Sequence, residues 1–195
     1  MAAPWLAVLL RKGGIREPTF KPDAREFLLF PTAFHTDAQL LKPAAAEKYA
    51  KEAAFDPKAQ PELEFSVLAR LTGAWTTCDP RILQVLDGLH IWGPEFLEAR
   101  LKWRARQPIT ILELRAYRYV RALARLPQPV HVPAEERFWG CFSWVPLPAA
   151  AAHQCREQLF AAAVPALTDA EFDARQQECR RQLAQVEAQE LQLAF

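Results

Sequence analysis

A chain of 195 residues, half of them hydrophobic and a quarter charged, has ordinary globular composition and the length of one large domain or of a domain with an appendage. Folding at this size buries about 70% of the surface that the unfolded chain exposes, so neither disulfides nor a structural metal is required. The formal net charge of +1 excludes whole-molecule attraction to nucleic acid or to an anionic membrane; any such binding must come from uneven placement of charge.

The first element is the apolar run 6–10, which reads as a core strand covered on both faces. The stretch 2–10 is too short to span a bilayer. Arg11 and Lys12 follow it, whereas a signal peptide carries its charges in front. The expectation is a cytoplasmic protein with no membrane contact. Gly13 and Gly14 permit positive φ and break the strand. Arg11, Lys12, Gly13, Gly14 and Arg16 therefore crowd into one turn, whose backbone N–H groups can face an anion. It is not a Walker A loop, because the Gly-Lys-Ser/Thr ending is missing, nor a Gly-x-Gly-x-x-Gly loop. The plainer reading is a hairpin-like connection that happens to be basic.

A second strand, 26–30, stops at Pro31. Between Pro43 and Pro57 an alanine-rich helix is expected over 44–55, with i,i+4 pairs Glu47–Lys51 and Lys48–Glu52 and a thin apolar stripe suited to the surface. Leu63, Phe65, Val67, Ala69 and Leu71 alternate as in a half-buried strand. Asp79-Pro80 starts a helix whose face is Ile82, Leu83, Val85, Leu86 and Leu89. Gly93-Pro94 opens another, running to about Trp103 with Phe96, Leu97 and Leu101 inward. The strand 109–120 then alternates: Leu112, Leu114, Ala116 and Val120 to one side, Glu113, Arg115, Tyr117 and Tyr119 to the other. A last strand over 138–147 is aromatic and broken at Gly140.

From Ala149 the composition shifts to Ala, Gln, Glu and Arg. Two helices divided near Pro165 are expected, the second opened by a Thr168/Glu171 capping box. Phe172, Cys179, Leu183, Val186 and Leu193 form a narrow seam that needs cover, either the chain's own surface or a second subunit. The fold expected is α+β: a mostly antiparallel or mixed sheet of about five strands with flanking helices, in a domain spanning 1–148, followed by a C-terminal helical extension, 149–195, packed on it or mediating association.

Charge clustering is the most informative feature for function. Residues 100–125 hold seven arginines and Lys102 against Glu113, a local +7. Trp103, Tyr117 and Tyr119 are interleaved with them. Cations that displace counterions and aromatic faces that stack bases are what a nucleic-acid surface needs. Arg104, Arg115, Tyr117, Arg118, Tyr119 and Arg121, with the turn at Arg11 to Arg16, are the candidate binding residues. The competing reading is a solvated face whose arginines pair with Glu95, Glu98 and the acidic tail.

Other chemistries have thinner support. Glu62 and Glu64 place two carboxylates on one strand face, as a metal-dependent nuclease would use, but the Asp/Glu-x-Lys step is absent. Cys141 with His35 or His131 is a formal nucleophile–base pair; a packed thiol in an aromatic strand is the simpler account. The four cysteines make no Cys-x-x-Cys pair and have no histidine at ligand spacing, so reduced thiols and no metal or cofactor are expected. Non-catalytic binding of nucleic acid is thus the leading reading, with a protein-interaction module built on the tail as its alternative.

Three phrases, residues 9–17 (LLRKGGIRE), 27–35 (FLLFPTAFH) and 140–147 (GCFSWVPL), resemble the bacterial family known as domain of unknown function 1802. Ile91-Trp92 and Arg115 to Tyr117 fall between them in the family's order. The resemblance covers about 5–148 and implies no activity, cofactor or catalytic residue, since the family has none established.

Overall fold

Strand β1 (Leu6–Arg11) forms where an apolar run ends in charge, and it lies antiparallel to β5 (Ile109–Arg118), with Leu6 opposite Arg115 and Arg11 opposite Thr110. The computed structural model describes residues 6–13, 19–22, 24–29, 38–56, 59–119, 124–127, 160–161 and 163–193. The remaining strands among them are β2 (Glu26–Leu28), β3 (Glu62–Phe65), β4 (Val67–Thr77), β6 (Ala124–Pro127), β7 (Val164–Pro165) and β8 (Gln189–Glu190). The helices are α1 (Pro43–Lys48), α2 (Ala50–Ala53), α3 (Ile82–Val85), α4 (Pro94–Lys102) and α5 (Asp169–Leu183).

The main sheet is open and antiparallel, in the order β1-β5-β4-β2, with short β7 added to β5 and short β8 to β4; β3 and β6 pair separately. The class is α+β, as expected. Contacts group the chain into two units: Met1–Phe27, Ala69–Ala116 and Pro165–Phe195 in one, Leu28–Leu68 and Tyr117–Val164 in the other.

The first unit holds a large apolar core. Val8 and Leu10 from β1, Ile109 and Ile111 from β5, and Trp75 from β4 meet Ile82, Leu83 and Leu86 around α3. Phe172, Cys179 and Leu183 of α5, with Val186, complete it. Four of the five residues of the seam expected along the tail are therefore buried in the chain's own core, while Leu193 is half-buried and outside it. His90 is buried as well; its Nδ1 accepts the Trp92 amide at 3.2 Å, so Nε2 carries the proton and donates to the Leu83 carbonyl at 3.1 Å. In the second unit Leu68, Tyr117 and Tyr119 form a smaller cluster, with Leu28, Phe160 and Ala163 against it and the Tyr117 ring edge-on to Phe160.

Several expectations are corrected. The helix read over 44–55 is two short ones, because Tyr49 leaves helical geometry (φ −108°, ψ 25°). Ala45 is the one buried residue of α1, so little packing holds a longer rod together. The alternating strand divides at Ser66 into β3 and β4, and β4 continues to Thr77. The helix after Asp79-Pro80 begins at Ile82 and gives way to a 3₁₀ turn at Asp87–Leu89; the Asp79 carboxylate instead accepts the Arg81 amide and pairs with its guanidinium, which holds it below the usual carboxylate range. Over residues 109–114 strand β5 has no solvent side: both parities are buried there, and exposure begins only with half-buried Arg115 and exposed Arg118. The strand expected over 138–147 lies outside the described residues, as do Gly14, Arg16, His35, Val120, Arg121, His131 and Cys141.

Candidate nucleic-acid interface

Helix α4 is specified at both ends. Gly93 takes an extended N-cap conformation, Pro94 is the first helical residue, Glu95 sits in the first turn, and Arg100 and Lys102 sit in the last, complementing the helix dipole. Phe96 anchors it, buried and stacked on Trp92 with ring centroids 4.0 Å apart. The chain then leaves the helix at Trp103 (φ −68°, ψ 115°) and reverses through Arg104 in the left-handed region (φ 50°). That conformation is uncommon for a side-chain-bearing residue and costs about 1–2 kcal/mol, so something must hold it.

Lys12 is what holds it. Its ammonium donates to the carbonyls of Leu101 (3.3 Å), Trp103 (2.7 Å) and Arg104 (3.2 Å), one acceptor for each of its three protons. The Arg104 carbonyl also accepts the Gln107 amide at 2.8 Å. A helix C-terminus leaves its last carbonyls without intrahelical donors, and Lys12 supplies them from another strand. The residue is buried, and that burial, followed by the charge of Arg100, pushes its pKa below the ordinary lysine value; Cys78 pulls weakly the other way.

The turn so fixed carries an exposed indole with cations around it. Trp103 is 45% exposed, one of two large hydrophobic side chains left in solvent among the described residues. The Arg104 guanidinium lies 5.0 Å from its ring centroid and that of Arg100 5.9 Å, with Arg100 also 5.0 Å from the Phe96 centroid. Lys102 is exposed and pairs with Glu98 at 3.3 Å, while Arg106 is exposed. Arg11, next along β1, packs its guanidinium over Phe20 at 4.9 Å, and Gly13 is buried.

The other candidates are placed elsewhere. Register puts Arg115 opposite Leu6, five residues from the Arg11–Thr110 pair, which is about 17 Å along the strand. There it bonds Asp169 and lies over the Phe172 ring, fastening the start of α5. Tyr117 and Tyr119 are buried in the second unit, where burial raises the Tyr119 pKa, and Arg118 is exposed there. The stacking platform read on one face of β5 is therefore covered.

Glu113, on that same face, is fully buried: its Oε1 accepts from Thr72 (2.7 Å), Gln176 (2.7 Å) and Arg180 (3.2 Å). A shallow cavity of about 320 Å³ near this network is lined by Trp75, Arg180, Leu183, Ala184, Ala188 and Glu190, but its cation is already engaged by Glu113. Glu64 is exposed on β3, and among the described residues no three His, Cys, Asp or Glu side chains gather where they could hold a metal. No helix among them is long and apolar enough to cross a membrane.

Sequence reasoning missed Lys12 as a structural cap, yet the signal was there. Residues 8, 10 and 12 share one face of an extended strand, so a lysine following buried Val8 and Leu10 is directed inward. A family model described as a domain of unknown function, DUF1802, matches residues 5–178, which carries the likeness 31 residues past the last phrase that revealed it. No curated protein sequence and no solved structure matches the chain.

Proposed function

We propose that this chain, which belongs to the DUF1802 family of uncharacterised function, binds single-stranded nucleic acid through the turn 100–106, without catalysing a reaction on it. The observation that carries the reading is Trp103: an exposed indole held on a left-handed turn with Arg100 and Arg104 over its ring. Bases stack on such a ring with little regard to sequence, and the guanidiniums can exchange the indole face for phosphate oxygens. Arg106 and Lys102 extend the positive edge of the turn. A duplex hides its bases, so the single strand is the form this chemistry selects.

The test is an anisotropy titration of a labelled 12-nucleotide single strand and its duplex. Trp103→Ala is expected to weaken single-strand binding by about 1–3 kcal/mol, the worth of one stacked base. Equal affinity of the wild type for strand and duplex, or an unaffected Trp103→Ala variant, defeats the reading.

A further inference from the structure

Lys12 is buried, and its role follows from what its ammonium touches. We infer that Lys12 is the positioning residue of this interface: by gathering the carbonyls of Leu101, Trp103 and Arg104 it fixes the reversal that leaves the Trp103 ring exposed beside two arginines. The inference rests on the reading of the turn as a binding site, and it assigns to the lysine of the basic N-terminal turn a part other than contact with ligand.

Three facts support it independently of any ligand. The three acceptors lie within the four residues 101–104 of one chain reversal, so no water or other side chain need complete the ammonium's bonding. Arg104 is one of two side-chain-bearing residues at positive φ among those described, and its carbonyl is held both by Lys12 and by the Gln107 amide. Finally, Lys12 sits at the end of β1, whose pairing with β5 runs to Arg11 opposite Thr110, so the rigid sheet sets where the ammonium lies. Burying a cation beside Arg100 is unfavourable, as the lowered pKa records, and the arrangement persists because it satisfies backbone acceptors that the helix end leaves open.

The experiment has a ligand-free arm and a binding arm. In the first, hydrogen exchange at the Gln107 amide is compared in wild type, Lys12→Met and Lys12→Met/Arg104→Gly. Methionine keeps the apolar stem and removes the donors. Gln107 is expected to lose protection in Lys12→Met while the Leu97 amide of α4 keeps it. The added glycine, which adopts positive φ without strain, is expected to restore protection at Gln107. If Lys12→Met leaves Gln107 protected, or glycine restores nothing, the inference is overturned.

In the second arm, Lys12→Met is expected to weaken binding of the single strand about 5- to 150-fold, the range for one lost stacked base, with an unchanged salt slope. A slope shallower by about 0.7 instead marks Lys12 as a phosphate contact and contradicts the assignment. Should the variant not fold, competitive acylation of the wild type decides: Lys12 reacts far more slowly than Lys102 if its ammonium is committed as described, and at the same rate if it is not. A wild type that binds no single strand removes the proposed function but leaves the exchange result to judge Lys12 by itself.

Discussion

Replacing Arg180 by methionine should cost the protein more than replacing Glu113 by leucine, although the two side chains form one ion pair. Glu113 is fully buried, while the Arg180 side chain is 50% exposed. Without Arg180, the carboxylate stays in the interior with only the neutral donors Thr72 and Gln176 on Oε1, and Oε2 has no hydrogen-bond partner. Stranding a buried charge costs about 3–5 kcal/mol, and the two remaining donors place this case near 3. Without Glu113, by contrast, Arg180 rehydrates, Gln176 is only partly buried, and the Thr72 hydroxyl keeps its 3.1 Å bond to the backbone carbonyl of residue 113. The expected cost of Glu113→Leu is about 1 kcal/mol, the value of a typical net hydrogen bond. The double variant should then be more stable than Arg180→Met alone, a coupling of about 1–3 kcal/mol. Urea unfolding followed by far-ultraviolet circular dichroism at constant m gives all three numbers. Additive losses, or a Glu113→Leu cost above that of Arg180→Met, would refute the assignment of Glu113 as a buried charge held by the tail.

Cys179 has a thiol pushed up to about 12 by burial first and by the Glu113 charge second. The unfolded chain releases that proton near 9, so the stability it contributes is complete below pH 9 and is lost as pH rises toward 12, at about 1.4 kcal/mol per pH unit. The stability difference between wild type and Cys179→Ala should shrink across that window and stay level below it. Gly73→Ala would put a Cβ 2.2 Å from Cη2 of the buried Trp75 indole, so a loss of about 1–3 kcal/mol or more is expected in thermal unfolding. Thr168→Ala removes the capping box, in which the hydroxyl accepts the Glu171 amide and the Glu171 carboxylate accepts the Thr168 amide; about 1 kcal/mol should be lost, with exchange rising first at the start of α5.

What the sequence disclosed was local. Gly93-Pro94 and Thr168 to Glu171 carry their helix starts in their own side chains, and both helices begin where those residues stand. The run ending at Leu10 is a strand because nothing in it can be left in water. What stayed hidden depends on partners far along the chain. Alternation along β5 sets Glu113, Arg115, Tyr117 and Tyr119 on one side, but Ile109 and Ile111 share that parity and announce cover there. The cover is α5, more than fifty residues onward, and it neutralises Arg115 with Asp169 and Glu113 with Arg180. The arginine cluster is thereby divided by register: Arg115 is engaged by α5, while Lys102 and Arg106 at the turn after α4 stay exposed. Charge density along a sequence cannot report that division, because it is made by which strand lies beside which.

The most direct measurement is the salt dependence of single-strand affinity in the wild type and in Arg100→Gln/Arg104→Gln/Arg106→Gln. Three phosphate contacts at this turn give a slope of log K against log salt of about −2 for the wild type. The triple variant should flatten that slope to near zero with the fold unchanged. An equally steep slope in both proteins would place the contacts elsewhere and contradict the account.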